Sequence, residues 1–354
     1  MPHVRAEPQL ERRHIAYLDG LRACAVLFVL LYHSAPAAVP WGFRGVELFF
    51  VISGFCLAFP FLQGKPVDYG AFLRRRFVRI APPYYVALIL FAALALTPFG
   101  YPSAVAAGLG PARSQALELL GDFAFAIPRV PIHNVAFWTL AIEARWYLVC
   151  PLLVILYRRS RPLFFALGLL LYALYFLTPS VLDEGTLPCF MLGIVAADLA
   201  IKPQPWQRFA WIGAALTFAL GLVLRTHAAA DPGDPVWHAA AFFFVVAAGS
   251  GVLTRVLAWR PLVAVGLASY SIYLIHAPFV GYLRAHGSPR PLTFLIALAL
   301  GFAFWWLVER PAASPAVRAR LEALLRAPLW PRTGLAAPAE ALPGRAGGAL
   351  QRVD

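Results

Sequence analysis

The chain has 354 residues, of which 61% are hydrophobic and 13% charged, whereas a soluble domain is about half apolar and a quarter charged. One core cannot hide that excess, so much of it must face lipid; disorder, a collagen-like repeat and a disulfide scaffold are excluded by the same figures. The net charge of +13, from 30 Lys+Arg against 17 Asp+Glu, fits arginines gathered on one side of a bilayer better than a nucleic-acid partner.

The expected fold class is all-α, a polytopic membrane bundle of about ten transmembrane helices. A crossing needs roughly 20 apolar residues, and spans are expected near 17–34, 45–62, 80–97, 137–157, 162–178, 186–201, 209–224, 236–253, 261–282 and 291–309. Residues 115–127 are apolar but too short to cross, which suits a re-entrant or interfacial helix. Three divisions follow: an N-terminal segment 1–14, a transmembrane domain 15–311, and a Pro/Ala/Arg-rich tail 312–354. In that tail Leu321–Leu325 is expected to form a short surface helix and the rest to be disordered. The first apolar run carries Arg22 and His33, which argues against a cleavable signal peptide. The polar ends are too short to form a soluble domain. Cys24, Cys56, Cys150 and Cys189 lie inside apolar runs without metal-ligand spacing, and buried free thiols are expected.

Orientation follows from the basic residues. With the N-terminus cytoplasmic, alternation puts Arg44, Arg113, Arg129, Arg225, Arg284 and Arg290 outside and Arg145 within a span. The other 23 of the 30 Lys+Arg then lie at the cytoplasmic side, as the positive-inside rule requires. Both termini are thus expected inside, in a plasma (inner) membrane.

The residues that carry chemistry are those that are costly in lipid, where a charge at mid-helix costs about 3 kcal/mol. YLDGLRACAVLFVLLYHS presents Asp19, Arg22 and His33. Arg22 and His33 fall within about 20° of one helix face and roughly 16 Å apart along it, and Asp19 can pair with Arg22 at i,i+3. The alternative is an Arg22 that snorkels and a His33 that marks an interface. In FRGVELFFVISGF, Glu47 is a candidate partner for His33, and Ser53-Gly54 suits close helix packing or a kink. FLRRRFVRIAPPYY sets Arg76 and Arg79 on one face at the start of a span. They form either a positive-inside anchor or a phosphate site, since guanidinium groups bind phosphate bidentately. FWTLAIEARWYLVC places Glu143 where an unpaired carboxylate has no structural excuse. SYSIYLIHAPF lines Tyr270, Tyr273 and His276 along one face, as an aromatic belt or as part of a site. Glu309-Arg310-Pro311 reads as a charged stop. Together these residues describe a polar path through the bundle. No metal motif, P-loop, Rossmann pattern or G-x-S-x-G elbow occurs, and a transporter and an intramembrane enzyme both fit.

Six ordered blocks change that balance: YLDGLRACAVLFVLLYH, GVELFFVISGF, RRRFVRIAPPYY, FWTLAIEARWYL, SYSIYLIHAPF and the closing ERP. From about Ile15 to Pro311 the chain resembles the acyltransferase-3 family of bacterial integral-membrane O-acyltransferases, which includes lipopolysaccharide O-acetylases. The family's Arg and His of the first span are matched by Arg22 and His33, and its Arg-x-x-Arg by Arg76 and Arg79. Family members mostly read SVEEQFY where this chain reads AIEARWY, so Glu143 matches the first Glu and Ala144-Arg145 replace the Glu-Gln pair. Glu47 stands where Asp is more usual. Larger relatives append an extracytoplasmic hydrolase-like domain, and none is expected here.

The resemblance implies transfer of an acyl group, commonly acetyl, from a cytoplasmic acyl-CoA-type donor to a hydroxyl of a cell-envelope glycan, glycolipid or related metabolite. No permanently bound cofactor and no metal are expected. On this reading Arg22, Arg76 and Arg79 bind the donor, while His33, Glu143 and Asp19 are the catalytic candidates. Glu47, Ser53, Tyr270, Tyr273 and His276 bind the acceptor or support the site. A membrane transporter or exporter of a polar or acylated substrate is the rival class; no internal repeat supports it.

Overall fold

Each apolar segment folds as a helix or as a bent pair of helices. The computed structural model describes residues 7–66, 68–95, 119–125, 134–177, 185–224 and 234–326, and no strand occurs among them. In chain order the helices are α1 (Glu7–Ser34), α2 (Gly45–Leu62), α3 (Tyr69–Ala95), α4 (Phe137–Arg159), α5 (Arg161–Leu177), α6 (Leu187–Ile201) and α7 (Ala210–Val223). They continue with α8 (Asp234–Ala248), α9 (Gly251–Leu257), α10 (Arg260–Leu267), α11 (Ser269–Ala285), α12 (Arg290–Phe304) and α13 (Pro315–Arg326).

This is a helical membrane bundle. Six helices are long and apolar enough to cross a bilayer, or eight if the bent pairs α8/α9 and α10/α11 each count as one span. α5 and α6, with 17 and 15 residues, fall short of that length, so the expected ten segments are all helical but ten crossings are not established. Leu169, Leu216 and Val223 are 70%, 66% and 80% exposed, a surface that only lipid can cover favourably.

Several boundaries differ from the sequence reading, each for a physical reason. α1 starts at Glu7, so most of the expected N-terminal segment is already helix. α3 starts at Tyr69 and carries Pro82 and Pro83 inside it. The arginines 74–79 therefore ride on the helix rather than preceding it. Two spans read as continuous are broken: α8 and α9 meet at 92°, α10 and α11 at 66°. The first break passes through Ser250 in extended backbone and Gly251 at φ +67°, a left-handed conformation that glycine adopts without strain. α12 runs into a single π-helical turn, Trp305–Glu309. α13 is longer than the expected 321–325. Of the segment 115–127, residues 119–123 are helical, and the hydroxyls of Tyr84 and Tyr85 donate to the carbonyls of Asp122 and Phe123 at 2.8 and 2.9 Å. Residues 115–118 and 126–127, Arg113, Arg129, Arg225 and the tail beyond Arg326 lie outside the described residues.

α2 sits at the centre, against α1, α4, α6 and α8. Its contact with α6 is backbone to backbone: a Cβ on Gly54 would lie 2.1 Å from the Phe190 carbonyl oxygen, and one on Gly193 2.2 Å from that of Val51. Small residues let membrane helices approach this closely, which gives the Ser53-Gly54 pair its packing role. α10 meets α1 in the same way, since a Cβ on Gly266 would fall 1.8 Å from the Asp19 carbonyl oxygen.

Candidate functional site

Two neighbouring cavities gather the residues singled out from the sequence. The first, of about 160 Å³, is lined by Asp19 and Arg22 of α1, Ser53 and Cys56 of α2, Arg76 and Arg79 of α3, Glu143 and Tyr147 of α4, and Tyr270 of α11. The second, of about 560 Å³, is lined by His33 of α1, Glu47 of α2, His238 of α8 and His276 of α11, with Arg44 and Asp234. Val46, Phe50 and Tyr273 line both. The two chambers thus meet at a neck of two apolar side chains and one tyrosine.

The arginine cavity gathers its charges from helices that the sequence keeps far apart. Arg22 reaches Asp19 at 2.7 Å and donates to the Cys56 sulfur at 3.3 Å. Arg76 passes over the Phe72 ring, 5.5 Å from its centroid. Of the four arginines at 74–79, Arg76 and Arg79 line the cavity and Arg74 and Arg75 do not. Glu143 Oε1 accepts hydrogen bonds from Ser53 and Tyr147, each at 2.8 Å. Those two hydroxyls hold the carboxylate that sequence reasoning left without a partner. Tyr270 donates to the Ile80 carbonyl at 3.0 Å, tying α11 to α3.

The break between α10 and α11 places Gly266, Leu267 and Ser269 along the same cavity wall. Irregular backbone is tolerated at membrane depth where it lines a cavity.

The histidine chamber is built differently. The His33 ring packs edge-on against that of His276, centroids 4.9 Å apart. Tyr172 and His238 Nδ1 are 2.6 Å apart. The expected Glu47–His33 pairing gives way to another: Glu47 is ion-paired with Arg44 at 2.6 Å, and Arg44 also reaches Asp234, whose other oxygen accepts from Tyr175 at 2.6 Å. Arg44 belongs to the short 3₁₀ turn before α2, so i,i+3 spacing satisfies Glu47 locally. The Thr139 hydroxyl, on the arginine-cavity side, donates to the Tyr273 hydroxyl at 2.9 Å.

The structure therefore divides the expected site. Asp19, Arg22, Ser53, Arg76, Arg79, Glu143 and Tyr270 share one cavity, His33, Glu47 and His276 the other, and Tyr273 both. The separation of Arg22 from His33 along one face of α1 is what puts them in different chambers.

A family model described as an acyltransferase domain matches residues 15–310. The chain belongs to this acyltransferase-3 family. Among its relatives, the O-acetyltransferase OatA of Staphylococcus aureus is 26% identical over 329 residues, covering 80% of this chain and 53% of that protein. The peptidoglycan O-acetyltransferase OatA of Listeria monocytogenes is 26% identical, covering 78% and 51%. The putative peptidoglycan O-acetyltransferase YrhL of Bacillus subtilis is 27% identical, covering 76% and 49%. The chain thus spans about half the length of these curated relatives. No solved structure matches it.

Two cavity residues of this acyltransferase-family chain were misread from sequence. Glu309, taken as part of a charged stop, lines the arginine cavity and accepts from Ser271 Oγ at 2.5 Å. It is the last residue of the π-helical turn; the widened turn, a feature common at functional sites, carries it inward. Cys56, expected as a buried free thiol, is, like Cys24, only partly buried, and it faces Arg22. The closing ERP block was the available signal for Glu309; nothing in the local sequence marked Cys56.

Proposed function

We propose that the protein is an integral-membrane O-acyltransferase that moves an acyl group, acetyl in the first instance, from an acyl-CoA-type donor to a hydroxyl of a cell-envelope glycan. The observation that carries this reading is the pair of adjacent chambers that share Val46, Phe50 and Tyr273 as lining, one lined by guanidinium groups and the other by imidazoles. The named relatives support a glycan acceptor.

On this reading the arginine cavity opens to the cytoplasm and both termini lie on that side of the plasma membrane. Arg22, Arg76 and Arg79 hold the donor phosphates with charge-assisted bonds, and Asp19 holds the Arg22 guanidinium until the donor arrives. The acyl thioester reaches the neck. His33 takes the proton of the acceptor hydroxyl as that oxygen attacks the thioester carbonyl; the C–S bond breaks, and the proton passes to the leaving thiolate. Glu143 orients the donor side of the reaction through Ser53 and Tyr147.

The test uses purified full-length protein in lipid nanodiscs with radiolabelled acetyl-CoA and purified peptidoglycan. Ester-linked label on the glycan, released by mild base, is the expected result. Movement of label across proteoliposomes without transfer to any acceptor would instead favour a transporter.

A further inference from the structure

His276 Nδ1 lies 2.6 Å from the carbonyl oxygen of Tyr273, one turn back on α11. A carbonyl only accepts, so Nδ1 carries a proton. The other ring nitrogen, Nε2, is buried and has no hydrogen-bond partner, in a residue only 1% exposed. A protonated ring would bury an unanswered N–H and a charge together, which costs more than a bare lone pair. His276 is therefore a neutral ring that presents an unused acceptor. Buried polar atoms are nearly always satisfied, and an exception calls for a role.

The ring beside it is His33, packed edge-on at 4.9 Å and lining the same chamber. The neighbouring Tyr273 ring is 5.4 Å away, with its hydroxyl already at hydrogen-bond distance from Thr139. We propose that His276 is the positioning partner of His33: its Nε2 accepts the His33 ring N–H once a small rotation of that ring closes the gap. A chain then runs from His33 N–H to His276 Nε2, and from His276 Nδ1–H to the Tyr273 carbonyl. The rigid backbone carbonyl sets the tautomer of His276, His276 sets that of His33, and the remaining His33 nitrogen is left as a lone pair facing the acceptor. This is the logic of a base oriented by a third group, here with a neutral imidazole in place of a carboxylate. His276 gains no net proton during turnover. The hydroxyl proton goes to His33 and on to the leaving thiolate, as the acyl C–O bond forms and the C–S bond breaks. His276 is not itself the base, because its free nitrogen has no accessible surface.

This inference rests on the acyl-transfer reading, and the experiment separates the two. His276→Gln places an amide oxygen near the position of Nε2 and keeps the acceptor while losing the Tyr273 bond. His276→Asn places an amide N–H near Nδ1 and keeps the Tyr273 bond while losing the acceptor. With acetyl-CoA and peptidoglycan in nanodiscs, His276→Asn should lower kcat roughly ten- to hundredfold, the range for partners that orient a functional histidine, with KM unchanged for both substrates. His276→Gln should stay within about fivefold of the parent. Equal activity of the two variants, or the reverse order, would overturn the proposal, since a merely structural histidine predicts it. If the parent transfers no acetyl group, the acyl-transfer reading fails, and ¹⁵N spectra of histidine-labelled protein decide the pairing alone. A His276 ring protonated at Nδ1 only, and a His33 signal moved by His276→Asn but not by His276→Gln, are expected; protonation at Nε2 would refute it.

Discussion

The two chambers are built on opposite electrostatic plans. In the arginine cavity three guanidinium groups and three carboxylates line one space; Arg22 pairs with Asp19, while Glu143 and Glu309 are held by hydroxyls. In the histidine chamber the one arginine is taken up by two carboxylates, and the imidazoles remain. A site that must bind an anionic donor needs cations not already neutralised at contact distance. A site that must move a proton needs groups that change charge easily near neutral pH. On the proposed function the contrast predicts that donor binding and chemistry are separable by mutation, even though α1 contributes to both.

The largest expected effect is on the chemistry. His33→Ala should lower transfer by about 10²- to 10⁴-fold, the usual contribution of a positioned general base, while donor affinity measured by equilibrium binding stays within about twofold. Near-normal transfer by this variant would dissolve the distinction between the chambers. Next, Arg76→Ala or Arg79→Ala should weaken donor binding by roughly ten- to hundredfold, since a charge-assisted bond contributes about 1.5–3 kcal/mol. Acceptor KM at saturating donor should not move; a parallel loss of acceptor binding would merge the chambers into one site. Glu309→Gln removes a negative charge from the cavity and keeps an oxygen for Ser271. It should tighten donor binding about two- to fivefold at low salt, an advantage that shrinks as salt screens the donor's charge. Ser53→Ala should have the smallest effect, because Tyr147 still donates to Glu143. One lost hydrogen bond contributes about 1 kcal/mol, read as a few-fold fall in kcat/KM.

Most of the bundle was legible because a bilayer imposes one dominant rule, and runs such as 45–62 and 137–157 obey it almost to the residue. The same rule failed where the chain departs from straight helix at membrane depth. Nothing in the hydropathy of 236–253 or 261–282 announces bends of 92° and 66°, because a broken helix lining a cavity is as apolar as an intact one. The third span was placed too late because tandem prolines usually open a helix, whereas here α3 continues through Pro82 and Pro83.

By itself the amino-acid sequence determined the class of fold, the family and most of the charged residues of the arginine cavity, together with His33, Glu47 and His276 of the other chamber; it did not mark Arg44, Asp234 or His238. Each of these is a local property: apolar run length, a charge where lipid forbids one, or a short block at a fixed place in the chain. Only the tertiary structure decided how those residues are divided. It turned Glu309 inward through one π-helical turn, gave Glu47 to Arg44 rather than to His33, and set Arg22 and His33 on either side of the neck at Val46, Phe50 and Tyr273. The physical reason is that a buried charge takes whichever partner the packing of several helices brings within about 3 Å. At α2 and α6 that packing is set by backbone approach at Gly54 and Gly193, a contact between segments about 140 residues apart.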